Sequence, residues 1–350
     1  MDPRNTRWRR RGFLGGMLVS AGAAAGWVVS RISDPRARAR RTPPVTQSSL
    51  VYDVSEFEET DPTLLIYKDA GQFQTGLDQV KRLTLWNPHG LAVSSPDALT
   101  LFNPNGSKLK SFALNGVTNC LLPLSPDSIL VGFSNRYTIL DPDGKTLFES
   151  PNLGNRTYLT SAATHNNTLY LADAGNREII IANLQTGEIQ TRFGKKDPDL
   201  GNPGFNIPSP YFALAVANDQ QLRVANTGLL RVETYTLDGR FVSSWGGPGM
   251  KIDRFCGCCN PAYFSLTPSG EFVTSEKGLT RINVYHPDGT FKGAVAGPKM
   301  LVEDMEQAKR ACVDCSVGAG FDITLHPNGE ILTLDPYRKV VRRFQPNSLS

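Results

Sequence analysis

Residues 169–183, LYLADAGNREIIIAN, contain the pattern that decides the fold. Two runs rich in β-branched residues flank a short polar segment with Gly and Asn, which predicts two antiparallel strands and a tight connection. The same arrangement returns three times along the chain, as LRVANTGLLRVETYT (222–236), FVTSEKGLTRINVYH (272–286) and ILTLDPYRKVVRRFQ (331–345). A strand pair that recurs in this way indicates a repeat protein.

Turn dipeptides give the period of the repeat. They are separated by 38, 43, 52 and 50 residues and stand at Asn105-Gly106, Asp143-Gly144, Thr186-Gly187, Asp238-Gly239 and Asp288-Gly289. Four short strands in a repeat of about 40 to 50 residues are typical of a β-propeller blade. We therefore predict an all-β, six-bladed β-propeller with units at 80–114, 117–150, 157–194, 210–246, 261–297 and 319–345.

The last unit holds only three strands before the chain ends. An unpaired sheet edge invites unwanted pairing, and a closed ring needs every blade complete. Residues 61–76, DPTLLIYKDAGQFQTG, precede the first unit and have no repeat of their own. We expect this segment to supply the missing strand, so that 42–79 form a linker and closing strand and 80–346 form the propeller.

The segment from Leu169 to Arg177 resembles the repeat of the NHL family of six-bladed β-propellers, with its apolar-Ala-Asp-x-Gly-Asn pattern. Weaker copies are Val224-Ala225-Asn226-Thr227-Gly228 and Thr274-Ser275-Glu276-Lys277-Gly278. The resemblance covers roughly residues 60–346 and implies the fold. It does not imply one function, because such propellers serve as binding platforms, lactonases, lyases and sensors.

The N-terminal region, residues 1–41, resembles a twin-arginine export signal. Arg10-Arg11-Gly12-Phe13-Leu14 opens a weakly hydrophobic run that ends near Val29. This predicts export to the periplasm, and residues 12–29 are alternatively a single membrane anchor. The site of any cleavage stays open between Ala23-Ala24-Ala25 and Ala37-Arg38-Ala39.

Charge is divided unevenly along the 350 residues. Residues 1–41 hold ten of the 37 basic residues and two of the 33 acidic ones, which leaves 27 basic and 31 acidic residues in the remainder. The body is therefore mildly acidic and lacks the basic face that binds nucleic acid. We expect no nucleic-acid partner, and membrane contact only through the N-terminal segment.

Five of the six cysteines lie in two inserts that join neighbouring blades on one face: Cys256, Cys258 and Cys259, then Cys312 and Cys315. Disulfides suit an oxidising compartment, and Cys258 or Cys259 then bridges to Cys312 or Cys315. The Cys-x-Cys and Cys-x-x-Cys spacings alternatively predict ligands for zinc or an iron-sulfur cluster, with electron transfer as its role. Cys120, alone in a strand, is expected to be a small buried core residue.

A short amphipathic helix is predicted in the second insert. Leu301, Met305, Ala308 and Cys312 follow helical spacing, and Glu303 and Asp304 lie near its start, where acids suit the helix dipole. Such a helix brings Cys312 toward the centre of the face.

A different class of function is a gluconolactonase-like hydrolase with a divalent cation in the channel, held by Asp173, Asn226 and Glu276. The histidines do not support a metal site, because His89, His165, His286 and His326 fall in turns of four blades on the opposite face. We expect a non-catalytic platform that binds a partner protein or small ligand on the cysteine-bearing face. A purely structural, disulfide-bonded propeller is the remaining alternative.

Overall fold

The computed structural model describes residues 55–304 and 320–347. In this part of the chain, six four-stranded antiparallel sheets form the blades of a propeller. Inner strands of consecutive blades pack side by side, and the inner strand of the sixth blade packs beside that of the first. The six sheets therefore close into a ring, as predicted.

The blades follow the repeat units in order. Blade 1 contains β2 (Arg82–Trp86), β3 (Gly90–Ser94), β4 (Ala98–Phe102) and β5 (Lys108–Ala113); blade 2 contains β6 (Cys120–Ser125), β7 (Ser128–Gly132), β8 (Tyr137–Leu140) and β9 (Thr146–Glu149). Blade 3 contains β10 (Leu159–His165), β11 (Thr168–Asp173), β12 (Glu178–Asn183) and β13 (Ile189–Phe193). Blade 4 contains β14 (Leu214–Val216), β15 (Leu222–Asn226), β16 (Arg231–Tyr235) and β17 (Phe241–Gly246).

The last two blades complete the ring. Blade 5 contains β18 (Tyr263–Leu266), β19 (Phe272–Ser275), β20 (Ile282–Tyr285) and β21 (Phe291–Ala296). Blade 6 contains β22 (Asp322–Leu325), β23 (Ile331–Asp335) and β24 (Val340–Pro346), with β1 (Tyr67–Gln74) as its outer strand. Short 3-10 turns lie at Ser55–Phe57, Pro62–Leu64 and Thr227–Leu229.

The ring is closed by the N-terminal strand, which confirms the prediction for residues 61–76. Strand β1 pairs antiparallel with β24, from Tyr67 opposite Pro346 to Gln74 opposite Val340. Arg342 of β24 reaches across this pair to Asp69, with Nη2 3.0 Å from Oδ2. The first and last strands of the propeller thus form one sheet, so the ring has no unpaired end at this seam.

The core lies between neighbouring blades. Strands β3, β19 and β20 are buried along their whole length, whereas the outer strand β5 is mostly exposed. Between blades 3 and 4, Phe193, Phe205, Phe212 and Tyr235 pack in a cluster with ring centroids 5.0 to 6.0 Å apart. Each blade therefore buries both faces against its neighbours, which is why its middle strands are apolar on both sides.

The predicted turn dipeptides connect third and fourth strands. In blade 2, the Asp141 carboxylate accepts hydrogen bonds from the amides of Asp143 and Lys145, both at 2.9 Å. Gly144 has φ +81°, a left-handed conformation that glycine adopts at little cost. This geometry explains why the dipeptides mark the repeat.

A short helical turn precedes the helix predicted in the second insert. A single turn, α1, spans Pro298–Leu301 and ends with Val302 as its C-cap. Leu301 is therefore the last helical residue of this turn, and Glu303 and Asp304 follow it. The other predicted helical positions, Met305, Ala308 and Cys312, lie outside the described residues.

The predicted export signal and membrane anchor, within residues 1–41, also lie outside the described part of the chain. Within that part, no helix is long and apolar enough to cross a bilayer.

Candidate functional site

The long connections between blades lie on the face of the ring at which each inner strand begins. We call this the insert face. Two of these connections contain the predicted cysteines in sequence. Residues 247–262 join β17 to β18, and residues 297–321, described at 297–304 and 320–321, join β21 to β22. The loops between second and third strands reach the same face, because the strands of each blade are antiparallel.

A buried ion pair holds the first connection in place. The guanidinium of Arg281 binds the Glu276 carboxylate through Nε (3.0 Å) and Nη2 (2.8 Å). Its Nη1 also donates to the carbonyl oxygens of Met250 and Lys251, and Nη2 donates to that of Arg254. One arginine thus fixes the backbone of this loop at three points, from beneath it.

The cysteine segment is bound to the same cluster. The amide of Cys256 donates to Glu276 Oε2 at 3.0 Å. Asn260 donates from Nδ2 to the carbonyl oxygens of Cys256 (2.5 Å) and Lys277 (3.0 Å), and its Oδ1 accepts from the amide of Lys277. Burial raises the pKa of Glu276, and Arg281 opposes the shift. These buried hydrogen bonds therefore hold the cysteine loop in one conformation.

The structure describes three of the five predicted ligand residues. Cys256 and Cys259 are buried. Cys258 is disulfide-bonded, and its Sγ also makes a non-bonded contact of 3.3 Å with Cys259 Sγ. Across residues 55–304 and 320–347, no three His, Cys, Asp or Glu side chains are grouped as metal ligands. Cys312 and Cys315 lie outside those ranges. The disulfide favours the disulfide alternative for Cys258, because a metal is bound by a thiolate.

The proposed divalent-cation site in the channel is not formed. Asp173 accepts from the amides of Tyr158 (2.9 Å) and Gly175 (3.0 Å) within blade 3. Asn226, in blade 4, is held by backbone groups and a carboxylate, and Glu276, in blade 5, is held by Arg281 and a backbone amide. All three side chains are fully buried, and none is among the residues that line the two cavities described below for the channel and its end. The expectation that they share an ion was wrong, because each ties the loops of its own blade together.

The channel contains an ion pair that sequence reasoning missed. Six inner strands line a cavity of about 440 Å³. Near its insert-face end, Arg82 Nε lies 3.2 Å from Asp322 Oδ2, and the Arg82 guanidinium carbon stands 4.5 Å from the ring centre of Tyr263. Burial raises the pKa of Asp322, and Arg82 opposes this shift. The available signal was a charged residue at the start of two apolar strand segments, RLTLW and DITL.

A smaller cavity of about 220 Å³ opens at this end of the channel. We call it the mouth pocket. Its walls come from blades 1 to 6 and include backbone and aliphatic atoms as well as polar side chains. The residues that matter for its chemistry are Lys81, Arg82, Thr118, Asn119, Tyr158, Tyr211 and Tyr263.

The histidines behave as predicted. Each of the four lies in or beside a turn between first and second or third and fourth strands, on the face opposite the inserts. His89 Nε2 lies 2.6 Å from the carbonyl oxygen of Pro126, and His286 lies 3.8 Å from Glu271. These contacts are local to neighbouring turns. Cys120 also matches its prediction, since only 1% of its surface is exposed.

Comparison with known proteins supports the fold. No protein-family profile matches the chain, and no curated protein matches it. Among solved structures, it is similar to a streptogramin B lyase, with TM-score 0.53, 10% identity, and coverage of 80% of this chain and 98% of that one. It is also similar to the WD40 β-propeller domain of Doa1, with TM-score 0.52, 12% identity, and coverage of 81% and 97%.

A third similar structure is a catalytically inactive virginiamycin B lyase from Staphylococcus aureus, solved with quinupristin. The TM-score is 0.51 at 14% identity, covering 77% of this chain and 80% of that one. At such identities the likeness establishes the β-propeller fold and no activity.

Proposed function

We propose that the chain is an exported, NHL-type propeller that binds a partner on its insert face. The observation that carries this proposal is the buried Glu276–Arg281 cluster. Its hydrogen bonds fix the cysteine loop, which leads directly into Tyr263 of the mouth pocket. A preorganised loop loses little conformational freedom on binding, so more of the contact energy appears as affinity. The opposite face has short turns that form local hydrogen bonds.

The face is tested by site-specific photo-crosslinking in the producing cell. A photoreactive amino acid replaces Arg156, exposed on the insert face of blade 3, or Asn167, exposed in the opposite turn of the same blade. We expect one discrete adduct, identified by mass spectrometry, from position 156 and none from position 167. Equal adducts at both positions, or an adduct only at 167, would contradict the proposal.

We further propose that the Cys258 disulfide joins the two inserts, with Cys312 or Cys315 as its partner. Such a bond closes a loop of more than 50 residues, for which the chain-entropy model gives about 4 kcal/mol of stabilisation. A non-reducing peptide map is expected to link the Cys258 peptide to one containing Cys312 or Cys315. Stoichiometric zinc or iron in protein with all five thiols reduced would instead support the cysteine-bound metal centre.

Export through the twin-arginine route places this disulfide in an oxidising compartment, and residues 12–29 then serve as signal or anchor. The proposal rests on Arg10-Arg11 followed by Phe13-Leu14. Replacing Arg10 and Arg11 by Lys is expected to retain the chain in the cytoplasm, while replacing Arg40 and Arg41 by Lys leaves export unchanged. Unchanged export of the first variant would exclude this route.

A further inference from the structure

We propose that the mouth pocket binds a single carboxylate group attached to a small apolar or aromatic body. This inference deepens the proposed function, on which it rests, by naming the chemical class recognised on the insert face. The carboxylate belongs either to a small organic acid or to the C-terminus of a polypeptide, and the experiment separates these two sources.

The pocket contains buried polar atoms that lack a hydrogen-bond partner among the described residues. They are Thr118 Oγ1 and Asn119 Nδ2. Thr118 is 1% exposed. The Oδ1 atom of Asn119 already accepts a hydrogen bond from the Tyr158 hydroxyl at 3.3 Å, so the amide presents its NH₂ as a donor.

This set of groups calls for an acceptor. An amide NH₂ only donates hydrogen bonds, and a threonine hydroxyl is able to donate. Buried donors without partners are costly, and a bound carboxylate oxygen accepts from several donors at once. A ligand with an oxyanion therefore satisfies Thr118 and Asn119 together. A cation leaves the Asn119 NH₂ without an acceptor, and an apolar ligand leaves both groups unsatisfied.

The charge of the pocket favours one negative charge. Its lining includes Lys81 and Arg82 and no acidic residue. Asp322, which lies deeper in the channel, pairs with Arg82 at 3.2 Å and offsets one of the two positive charges. About one positive charge is left for the ligand, which suits a carboxylate better than a phosphate with its charge near −1.5 to −2.

The shape of the pocket limits the rest of the ligand. Three aromatic rings, those of Tyr158, Tyr211 and Tyr263, form part of its wall, together with Val117 and Pro210. Its volume of about 220 Å³ is below the about 300–1,000 Å³ typical of sites for drug-sized molecules. The apolar body is therefore a short chain or one ring, such as a benzoate or the last residue of a peptide.

Calorimetric titration of the full chain tests the proposal with defined probes. These are benzoate, the neutral isostere benzamide, inorganic phosphate, and one short peptide ending in Phe with either a free carboxylate or an amide. We expect benzoate or the free-acid peptide to bind, and benzamide, phosphate and the amidated peptide to bind at least about tenfold more weakly. Benzoate alone indicates a free organic acid, and the free-acid peptide alone indicates a chain end.

Two variants assign the binding to the pocket. Thr118→Val keeps the shape and removes the hydroxyl, and we expect about tenfold weaker binding with no loss of thermal stability. Asn119→Asp places a negative charge in the pocket and is expected to abolish binding. The control is His165→Gln on the opposite face, which leaves affinity unchanged.

The proposal is overturned if charged and neutral probes bind equally, if no carboxylate probe binds, or if both pocket variants bind benzoate and the free-acid peptide as the native chain does. These outcomes are separable from failure of the proposed function. The insert-face crosslink at position 156 persists if only the ligand class is wrong, and disappears if the face is wrong.

Discussion

Glu233 in blade 4 and Asn283 in blade 5 occupy equivalent positions in the third strands of their blades, 50 residues apart. At the end of the second strand the acid and the amide are reversed, because Asn226 lies in blade 4 and Glu276 in blade 5. In both blades an arginine binds the carboxylate, and the acceptor from residue 226 or 276 receives the amide of the preceding connection. The two blades therefore use the same set of contacts, with the acid and the amide at exchanged positions.

The Glu276–Arg281 pair makes a strong prediction about stability. Arg281→Met leaves the Glu276 carboxylate buried without its counter-charge and releases three loop carbonyls, so we expect a loss of about 3–5 kcal/mol in the free energy of unfolding. Urea denaturation measures it. Arg240→Met removes an exposed arginine that pairs with Asp238 and serves as the control, with a change below about 1 kcal/mol. Equal effects of the two variants would contradict a stabilising role for the pair.

The exchange between blades is tested by transplanting the blade 4 arrangement into blade 5. Glu276→Asn alone removes the carboxylate that pairs with Arg281, and Asn283→Glu alone adds a second carboxylate to the same cluster. We expect the double variant Glu276→Asn/Asn283→Glu to be more stable than the sum of the single changes by about 0.5–3 kcal/mol. A double-mutant cycle in urea gives this coupling, and additive effects would show that the two positions do not act together.

Closure of the ring by β1 predicts that the N-terminal strand is needed for stability. A chain starting at residue 75 lacks Tyr67–Gln74 and leaves β24 as an unpaired edge. Compared with a chain starting at residue 55, it is expected to melt at a lower temperature and to aggregate, since exposed edges pair with other chains. Light scattering and thermal denaturation record both effects. Identical melting of the two chains would show that the seam contributes nothing.

Gly175 illustrates why the repeat motif carries glycine. A Cβ at this position would lie 1.8 Å from the carbonyl oxygen of Arg156, so the backbone would have to move. We expect Gly175→Ala to destabilise the chain by about 1–3 kcal/mol through overpacking. Gly71→Ala, with φ +93° and nothing within 4 Å, measures the backbone cost without a clash and should be milder. A larger loss from the Gly71 variant would refute the steric explanation.

Cys120 should resist alkylation in the native protein. Burial raises the pKa of its thiol to about 11, although the Arg82 charge opposes the shift. At pH 8 about one thiol in a thousand is then ionised, and the thiolate is the reactive form. Iodoacetamide at pH 8 is expected to leave the Cys120 peptide unmodified until urea is added, as mass spectrometry will show. Rapid labelling in the folded chain would contradict the burial of this residue.

The fold was accessible from the sequence because each repeat contains its own signals. The alternation in 169–183 defines a strand pair locally, and glycines such as Gly144 mark turns through a backbone requirement that no neighbour has to supply. The missing fourth strand of the last unit followed from counting. The boundaries of all six units were correspondingly close to those observed.

The roles of the polar residues were not accessible in this way. Asp173, Asn226 and Glu276 have the composition of a cation site, but each faces the loops of its own blade, which depends on packing among distant segments. Arg82 and Asp322 are 240 residues apart and become a pair only because the ring closes.

The sequence by itself determined that the chain folds as a six-bladed ring closed by its N-terminal strand, because periodic polarity and turn residues act over short distances. Only the tertiary structure decided which polar side chains support loops and which line a cavity. Whether a buried carboxylate binds a ligand or a neighbouring backbone depends on the groups that folding brings around it.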